Sequence, residues 1–167
     1  IVGYSKIMSN NEKIGLELLD TQSELVLPII KNFNGKVLKK MGDAFFVDFS
    51  SSINAIECSV KIQKALKDYN FSKDSEKKLL LRIGLHIGDV FIKEDDLFGE
   101  GINVAARLEP LAEPGGICMS QAFYDSVKVK SDFSAVRVGD VALKNILSKY
   151  TIYKIPSFYA EDYIEPV

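Results

Sequence analysis

The sequence predicts an α+β domain with a ferredoxin-like core: a mixed, mainly antiparallel sheet with helices on one face, and a small α/β extension at the C-terminal end. Three observations lead to this class. Two long stretches carry apolar residues at helical spacing, two apolar runs flank Gly42-Asp43, and residues 79–92 are rich in aliphatic and β-branched residues. Helices that connect strands which also form hairpins favour a mixed sheet covered on one face. The chain of 167 residues suits a single domain, residues 1–167.

The first half predicts a strand, a helix and a hairpin. After the opening strand, Ser9-Asn10-Asn11-Glu12 fits the capping box that begins a helix. An apolar stripe at helical spacing then runs to Phe33, with a kink expected at Pro28. Asn34-Gly35 should end this helix, because glycine readily adopts the left-handed conformation of a helix terminus. The apolar runs on either side of Gly42-Asp43 predict the hairpin.

The second half alternates between helices and strands. The serines at 50–52 should cap a second helix. Residues 79–92 predict one long strand or two strands joined by a bulge, with a turn at Asp95-Asp96. A helix is expected from about Gly101 to Leu111. Beyond it we expect a turn at Pro114-Gly115-Gly116, a strand near Cys118, a short helix near Ala122, and strands near Val136 and Thr151.

Composition excludes several classes of protein. The net charge of −2 and the pI of about 5.5 provide no basic surface for nucleic acid. No stretch approaches the ~18 apolar residues that a membrane-spanning helix needs. Cys58 and Cys118 lack the spacing of metal ligands, so they are interpreted as buried thiols.

Asp43 is the first residue whose position suggests chemistry. A carboxylate at a turn between two apolar strands can point outward, and a Mg²⁺ ion beside a triphosphate needs only one or two protein carboxylates. Taken alone, these residues are more typical of an ordinary Gly-Asp turn.

A second group of residues follows two glycines at the start of the helix near residue 101. Asn103 and Arg107 are four residues apart and therefore share a helical face, where an amide and a guanidinium suit a phosphoryl group. A solvated face, or an ion pair between Arg107 and Glu109, is the alternative interpretation. His86 lies inside an apolar stretch and is interpreted as a packed histidine. The spacing of Lys144 by itself predicts no function for this residue.

Six blocks of sequence, taken together and in order, resemble the catalytic domain of class III adenylyl/guanylyl cyclases of the bacterial adenylate cyclase type. They span nearly the whole chain. The blocks are Ile1-Val2-Gly3-Tyr4-Ser5, Lys39-Lys40-Met41-Gly42-Asp43, Arg82-Ile83-Gly84-Leu85-His86-Ile87-Gly88-Asp89-Val90, Gly99-Glu100-Gly101-Ile102-Asn103-Val104-Ala105-Ala106-Arg107-Leu108-Glu109, Ala112-Glu113-Pro114-Gly115-Gly116-Ile117-Cys118 and Leu143-Lys144-Asn145-Ile146.

The resemblance implies a metal site and a base-reading pair. Asp43 matches one of two aspartates that bind two Mg²⁺ or Mn²⁺ ions per active site. The other aspartate is expected immediately before Ile1, whose backbone carbonyl would be a further metal ligand. Lys39 and Asp96 match the pair that reads the purine, and their chemistry fits adenine: a lysine donates to N1 and a carboxylate accepts from the 6-amino group.

The resemblance also implies a reaction and a shared active site. Asn103 matches the residue that orients the ribose, Arg107 the one that stabilises the transition state, and Lys144 a lysine that binds the triphosphate. Asp89 departs from the family, because some members carry an arginine there. The implied reaction turns ATP into 3′,5′-cyclic AMP and pyrophosphate at the interface of a homodimer with two shared active sites.

Two alternatives from different classes stay open at this point: a guanylate cyclase, which Lys39 and Asp96 disfavour, and a degenerate cyclase-like module that only binds nucleotide or dimerises. A diguanylate cyclase shares the core fold, but its hairpin motif is not matched by residues 41–45. The resemblance further implies a cytoplasmic catalytic domain whose native protein carries regulatory or sensor domains and is membrane-anchored, if at all, through those other domains.

Overall fold

The computed structural model describes residues 1–129 and 133–158. The predicted α+β class is confirmed, and two 3₁₀ turns, Ser75–Lys77 and Glu109–Leu111, supplement the regular elements. In chain order these are α1 (Tyr4–Asn10), α2 (Glu12–Asn32), β1 (Lys36–Met41), β2 (Ala44–Asp48), α3 (Ser52–Phe71), β3 (Ile83–Leu85), β4 (Phe91–Lys93), β5 (Asp96–Phe98), α4 (Glu100–Leu108), β6 (Ile117–Ser120), α5 (Gln121–Val127), β7 (Val136–Ala142) and β8 (Lys149–Ile155).

The strands of the described ranges form one mixed sheet and two hairpins. The larger sheet has the order β3-β6-β8-β7, in which β3 runs parallel to β6 and the other neighbours are antiparallel. Strands β1 and β2 form a separate antiparallel hairpin, and so do β4 and β5. The arrangement is mainly antiparallel, as the sequence predicts.

The expectation for residues 79–92, one long strand or two strands joined by a bulge, is wrong. Only β3 and β4 are strands there, and they belong to different sheets. The chain leaves the sheet where Gly88 meets the start of α4: a Cβ atom on Gly88 would lie 2.6 Å from the Cα atom of Gly101. Gly88, between β3 and β4, is thus in close contact with the start of α4, and there is no room for a side chain at this position.

The beginning of the chain also differs from the prediction. Helix α1 starts at Tyr4, directly after Gly3 with a φ of 70°, so the expected opening strand is reduced to a hydrogen bond from the Val2 N–H to the Leu80 carbonyl. The residue that caps α2 is Asn11, whose side chain accepts from the Ile14 N–H. The predicted capping box is therefore wrong, because Ser9 lies inside α1 and its hydroxyl donates to the Ser5 carbonyl, although a helix does begin at Glu12.

Helix α2 continues through Pro28 and ends at Asn32. After the helix, Asn34 adopts the left-handed backbone conformation, with a φ of 60°. Gly35 is needed for another reason. A Cβ atom there would lie 2.7 Å from side-chain atoms of Ile30 and Phe49, so glycine lets the end of α2 approach the chain after β2. The predicted cap of α3 is confirmed, since the Ser51 side chain accepts from the Asn54 N–H.

Helix α4 packs against the larger sheet through a narrow apolar stripe. Val104 and Leu108 are fully buried and form a cluster with Leu143 and Ile152. Close approach is possible because Gly84 of β3 has no side chain: a Cβ atom there would lie 2.6 Å from the Glu109 nitrogen and 2.7 Å from the Ala105 oxygen. The opposite face of α4 is thereby turned toward solvent.

We expect Gly84→Ala to lower the free energy of unfolding by about 1–3 kcal/mol, because the added methyl group meets backbone atoms that cannot move alone. Gly15→Ala is the matched control, since its methyl group would contact mainly the Met8 side chain, which can rotate away. Alanine is also favoured over glycine inside a helix. Urea unfolding of both variants measures the difference, and equal losses would contradict this account of the α4 packing.

Candidate active site

The exposed face of α4 and the connection between β7 and β8 enclose a cavity of about 280 Å³. The cavity gathers two cationic and two amide side chains, which suits a polyanionic ligand. Three of the predicted residues, Asn103, Arg107 and Lys144, therefore meet at one place. The lining residues are Asn103, Ala106, Arg107, Lys144, Asn145 and Ile146.

The α4 side of this cavity is set by helical geometry. Asn103 and Arg107 are exposed, whereas Val104 and Leu108 of the opposite face are buried. Among the described residues no ion pair joins Arg107 to Glu109, so that alternative is wrong. The guanidinium is therefore available to a ligand.

The other side of the cavity is a tight turn that displays Lys144. Leu143 is anchored in the core with 5% of its surface exposed, and the Ile146 N–H donates to its carbonyl at 3.1 Å. Asn145 adopts a left-handed conformation with a φ of 61°. Sequence reasoning missed Asn145 as a lining residue; its position directly after Lys144 was the only signal.

A hydrogen bond ties the two sides of the cavity together. The Tyr150 hydroxyl donates to Glu100 Oε1 at 2.7 Å, which joins the start of β8 to the start of α4. This hydrogen bond raises the pKa of Tyr150. The His86 ring meets the Tyr150 ring edge-on at 5.7 Å, and its Nδ1 atom lies 2.7 Å from Ser120 Oγ. Burial lowers the pKa of His86, as expected for a packed histidine.

Lys39 and Asp96 form the second predicted group. The Lys39 Nζ atom lies 3.0 Å from Asp96 Oδ1, so the ion pair joins the β1–β2 hairpin to the β4–β5 hairpin. This hydrogen bond, helped by the Leu97 N–H, lowers the pKa of Asp96. Glu94 and Asp95, both with positive φ, form the two-residue turn that places Asp96 first in β5. The pair thus presents an ammonium donor beside a carboxylate acceptor.

Asp43 forms a third group, at the turn of the first hairpin. Gly42 takes a φ of 57°, and the Asp43 side chain keeps 27% of its surface exposed. Asp43 Oδ2 lies 2.5 Å from the Ile1 nitrogen, so the predicted neighbours Asp43 and Ile1 are brought together. The Gln22 side chain donates to the Asp43 backbone carbonyl at 2.8 Å. Sequence reasoning missed Gln22.

The donor atoms at Asp43 suit one kind of metal site. Within residues 1–129 and 133–158 no group of three or more His, Cys, Asp or Glu side chains could hold a metal ion alone. A single, partly exposed carboxylate fits Mg²⁺ or Mn²⁺ that takes most of its ligands from phosphates and water. Burial raises the pKa of Glu109, and the nearby negative charge of Asp43 also raises it.

The three groups do not share one cavity in the single chain. Of the described residues, neither Asp43 nor the Lys39–Asp96 pair lines the cavity beside α4.

Among the described helices, none is both long and apolar enough to span a membrane.

Comparison with known proteins identifies close relatives. The family model for the adenylate and guanylate cyclase catalytic domain matches residues 1–157. A protein of Rhizobium meliloti named "Putative adenylate cyclase 3" is 38% identical over 146 residues, which are 87% of this chain and 25% of that protein. The chain therefore spans about a quarter of the length of this relative.

Solved structures of similar proteins share the fold. An adenylate/guanylate cyclase/hydrolase from Silicibacter pomeroyi gives a TM-score of 0.85 at 30% identity, covering 93% of this chain and 91% of that one. The guanylate cyclase domain of RhGC from Catenaria anguillulae, in complex with GTP, gives 0.73 at 19% identity, covering 94% and 92%. At 19% identity the likeness concerns the fold alone.

We expect Lys39→Met to raise the pKa of Asp96 toward its ordinary value of 3.8, because the strongest interaction that lowers it is the hydrogen bond from Lys39. A lowered carboxyl pKa stabilises the fold above the unfolded pKa, and this contribution is lost as the pH falls through the folded pKa. NMR titration of the Asp96 carboxyl carbon measures the shift. Lys40→Met is the control, since Lys40 bonds Ser23. Equal effects of both variants would contradict the assignment.

Proposed function

The chain belongs to the adenylate and guanylate cyclase catalytic domain family, and we propose that it is an adenylate cyclase that converts ATP to 3′,5′-cyclic AMP and pyrophosphate. The observation that carries the choice of ATP is the Lys39–Asp96 pair at 3.0 Å. The relatives include proteins described as adenylate and as guanylate cyclases, so the choice of base depends on this pair.

The donor and acceptor of the pair complement the edge of adenine. Adenine offers an acceptor at N1 and a donor at its 6-amino group, which match the Lys39 ammonium and the Asp96 carboxylate. Guanine carries a hydrogen on N1 and an oxygen at position 6, so each partner would face a group of the wrong kind. A base that leaves such partners unpaired is rejected strongly.

The cavity beside α4 supplies the groups for the ribose and the phosphates. Arg107 stabilises the charge that develops as the 3′ oxygen attacks the α-phosphorus and pyrophosphate leaves. Lys144 holds the triphosphate, and Asn103 orients the ribose so that the 3′ oxygen is in line. Catalysis is then mainly positioning and charge stabilisation by side chains that the fold holds apart from its core.

Asp43 would hold Mg²⁺ or Mn²⁺, with the Ile1 carbonyl and an upstream aspartate as further ligands. The metal, when bound, lowers the pKa of the 3′-hydroxyl and neutralises phosphate charge. Asp43 fits this role because its carboxylate is partly exposed and because the Gln22 side chain donates a hydrogen bond to its backbone carbonyl. Asp43 would thereby fix the position of the metal ion and of its positive charge in the site.

We further propose that two copies form a homodimer with two shared active sites, each copy giving residues 1–167 as one catalytic domain. Asp43 of one copy would complete the cavity of the other, which accounts for its absence from the cavity lining. The hairpins also expose large apolar side chains that a second copy would cover: Met41, Phe91, Ile92 and Phe98 are 54%, 62%, 59% and 50% exposed. We also propose that regulatory domains accompany residues 1–167 in the native protein, since this chain spans only 25% of the length of the Rhizobium meliloti relative.

The base specificity should reverse in the variant Lys39→Glu/Asp96→Cys. We expect lower ATP turnover and a higher ratio of GTP to ATP turnover, because the donor and acceptor that match adenine are removed. Formation of cyclic AMP and cyclic GMP is measured with Mn²⁺ and with Mg²⁺. A preference of the unmodified enzyme for GTP would show that the pair does not select adenine.

Two inactive variants should restore each other if the active site is shared. Asp43→Ala and Arg107→Ala should each be nearly inactive as homodimers. Equal mixing should return up to about a quarter of the wild-type activity, because half of the dimers are mixed and each holds one intact site of two. Cyclic AMP formation is followed after subunit exchange has been verified by a labelled chain. Exchange without recovered activity would exclude the shared site.

A further inference from the structure

The turn that carries Asp43 needs an anchor outside its own hairpin. Strands β1 and β2 pair only with each other among the described strands, and the two turn residues, Gly42 and Asp43, lie at the far end of that ladder. Gly42 adopts the left-handed conformation, and a Cβ atom added to it would have no other atom within 4 Å. Outside the hairpin, the Asp43 carboxylate lies 2.5 Å from the Ile1 nitrogen, which leaves the backbone of the turn to be held by another contact.

Gln22 supplies such an anchor from the interior. It lies on α2 with only 2% of its surface exposed, and its Nε2 atom donates to the Asp43 backbone carbonyl at 2.8 Å. Because a carbonyl oxygen only accepts hydrogen bonds, this contact also fixes which end of the amide faces Asp43. The side chain connects residues that are 21 positions apart.

The amide of Gln22 carries a cost that packing alone does not explain. Its Oε1 atom is buried and has no hydrogen-bond partner in the structure. A buried polar atom without a partner destabilises a protein, and an apolar side chain of the same size would avoid the penalty. The favourable contribution of this side chain is therefore the hydrogen bond to Asp43.

A second contact shows that α2 restrains the same hairpin nearby. The Lys40 ammonium donates to the Ser23 hydroxyl at 3.0 Å, one position along α2 from Gln22. That contact is exposed, so solvent and salt weaken it. The buried Gln22 contact is the one that reaches Asp43 itself.

We infer that Gln22 is a positioning residue for the proposed metal site: it holds the backbone of Asp43 so that the carboxylate is aimed at a divalent cation. The inference rests on the function proposed above. Residues that orient a metal ligand commonly change metal affinity by about 10–100-fold when they are replaced. In this role Gln22 acts through Asp43, to whose backbone carbonyl it donates.

The chain offers a matched control in Gln63. This glutamine of α3 is fully buried, its Nε2 atom donates to the carbonyls of Leu81 and Gly116, and its Oε1 atom is also without a partner. Both variants remove hydrogen bonds that a buried glutamine amide donates to backbone carbonyls, one bond in Gln22→Met and two in Gln63→Met. Only the first removes a bond to Asp43.

The test measures Mn²⁺ binding to the full chain by electron paramagnetic resonance, with inorganic pyrophosphate present to supply phosphate ligands. We expect Gln22→Met to weaken Mn²⁺ binding about tenfold and Gln63→Met to change it less than twofold. Amide hydrogen exchange at residues 42–44 should accelerate in Gln22→Met alone. Gln22→Asn, whose shorter side chain falls short of Asp43, should weaken binding in the same direction if Gln22→Met does not fold.

The outcomes separate this inference from the proposed function. Unchanged Mn²⁺ binding in folded Gln22→Met, or equal weakening in Gln22→Met and Gln63→Met, would overturn the positioning role even if the wild type makes cyclic AMP. Absence of Mn²⁺ binding by the wild type would overturn it too. Selective weakening in Gln22→Met, with no cyclic nucleotide formed by the wild type, would support the positioning role and reject only the proposed reaction.

Discussion

The close contact between α4 and the larger sheet is the constraint on which the candidate site depends. Val104 and Leu108 are fully buried, and Gly84 lets the helix backbone lie directly over β3. Once these apolar positions face inward, the 3.6-residue period of the helix places Asn103 and Arg107 outward. The polar side of the cavity is therefore a consequence of burial on the opposite side. A displaced helix would move both groups together, which matters because phosphoryl chemistry tolerates little misplacement.

The Lys39–Asp96 pair and the Gln22–Asp43 contact both join distant segments of the chain, but they differ in exposure and in the role that we propose for them. The ion pair is exposed and contributes little to stability, so its value lies in the donor and acceptor that it presents. The Gln22 side chain is buried and donates to the backbone of the Asp43 turn. In the proposed function the exposed Lys39–Asp96 pair serves recognition of the base, and the buried Gln22 side chain serves the geometry of the turn.

Local signals in the sequence predict much of the fold, while contacts between distant segments do not follow from it. The hairpin around Gly42-Asp43, the Ser51 cap and the shared face of Asn103 and Arg107 depend on residues near each other in the chain, and the structure contains all three. The assignment of β3 and β4 to different sheets depends on the pairing of β3 with β6, a distant partner that no local pattern encodes. Lys144 and Gln22 lack a local signal for the same reason: their partners lie about 40 and 20 positions away.

The apolar side chains that the hairpins expose have a consequence for how such a domain could be controlled. If a second copy covers them, the number of complete sites follows a dimerisation equilibrium, and output grows more steeply than protein concentration at low occupancy. Tethering two copies through neighbouring domains would replace bulk concentration by an effective concentration in the millimolar range for short linkers. A neighbouring module that changes only the distance between two copies could then set the rate, with no signal passing through the catalytic fold.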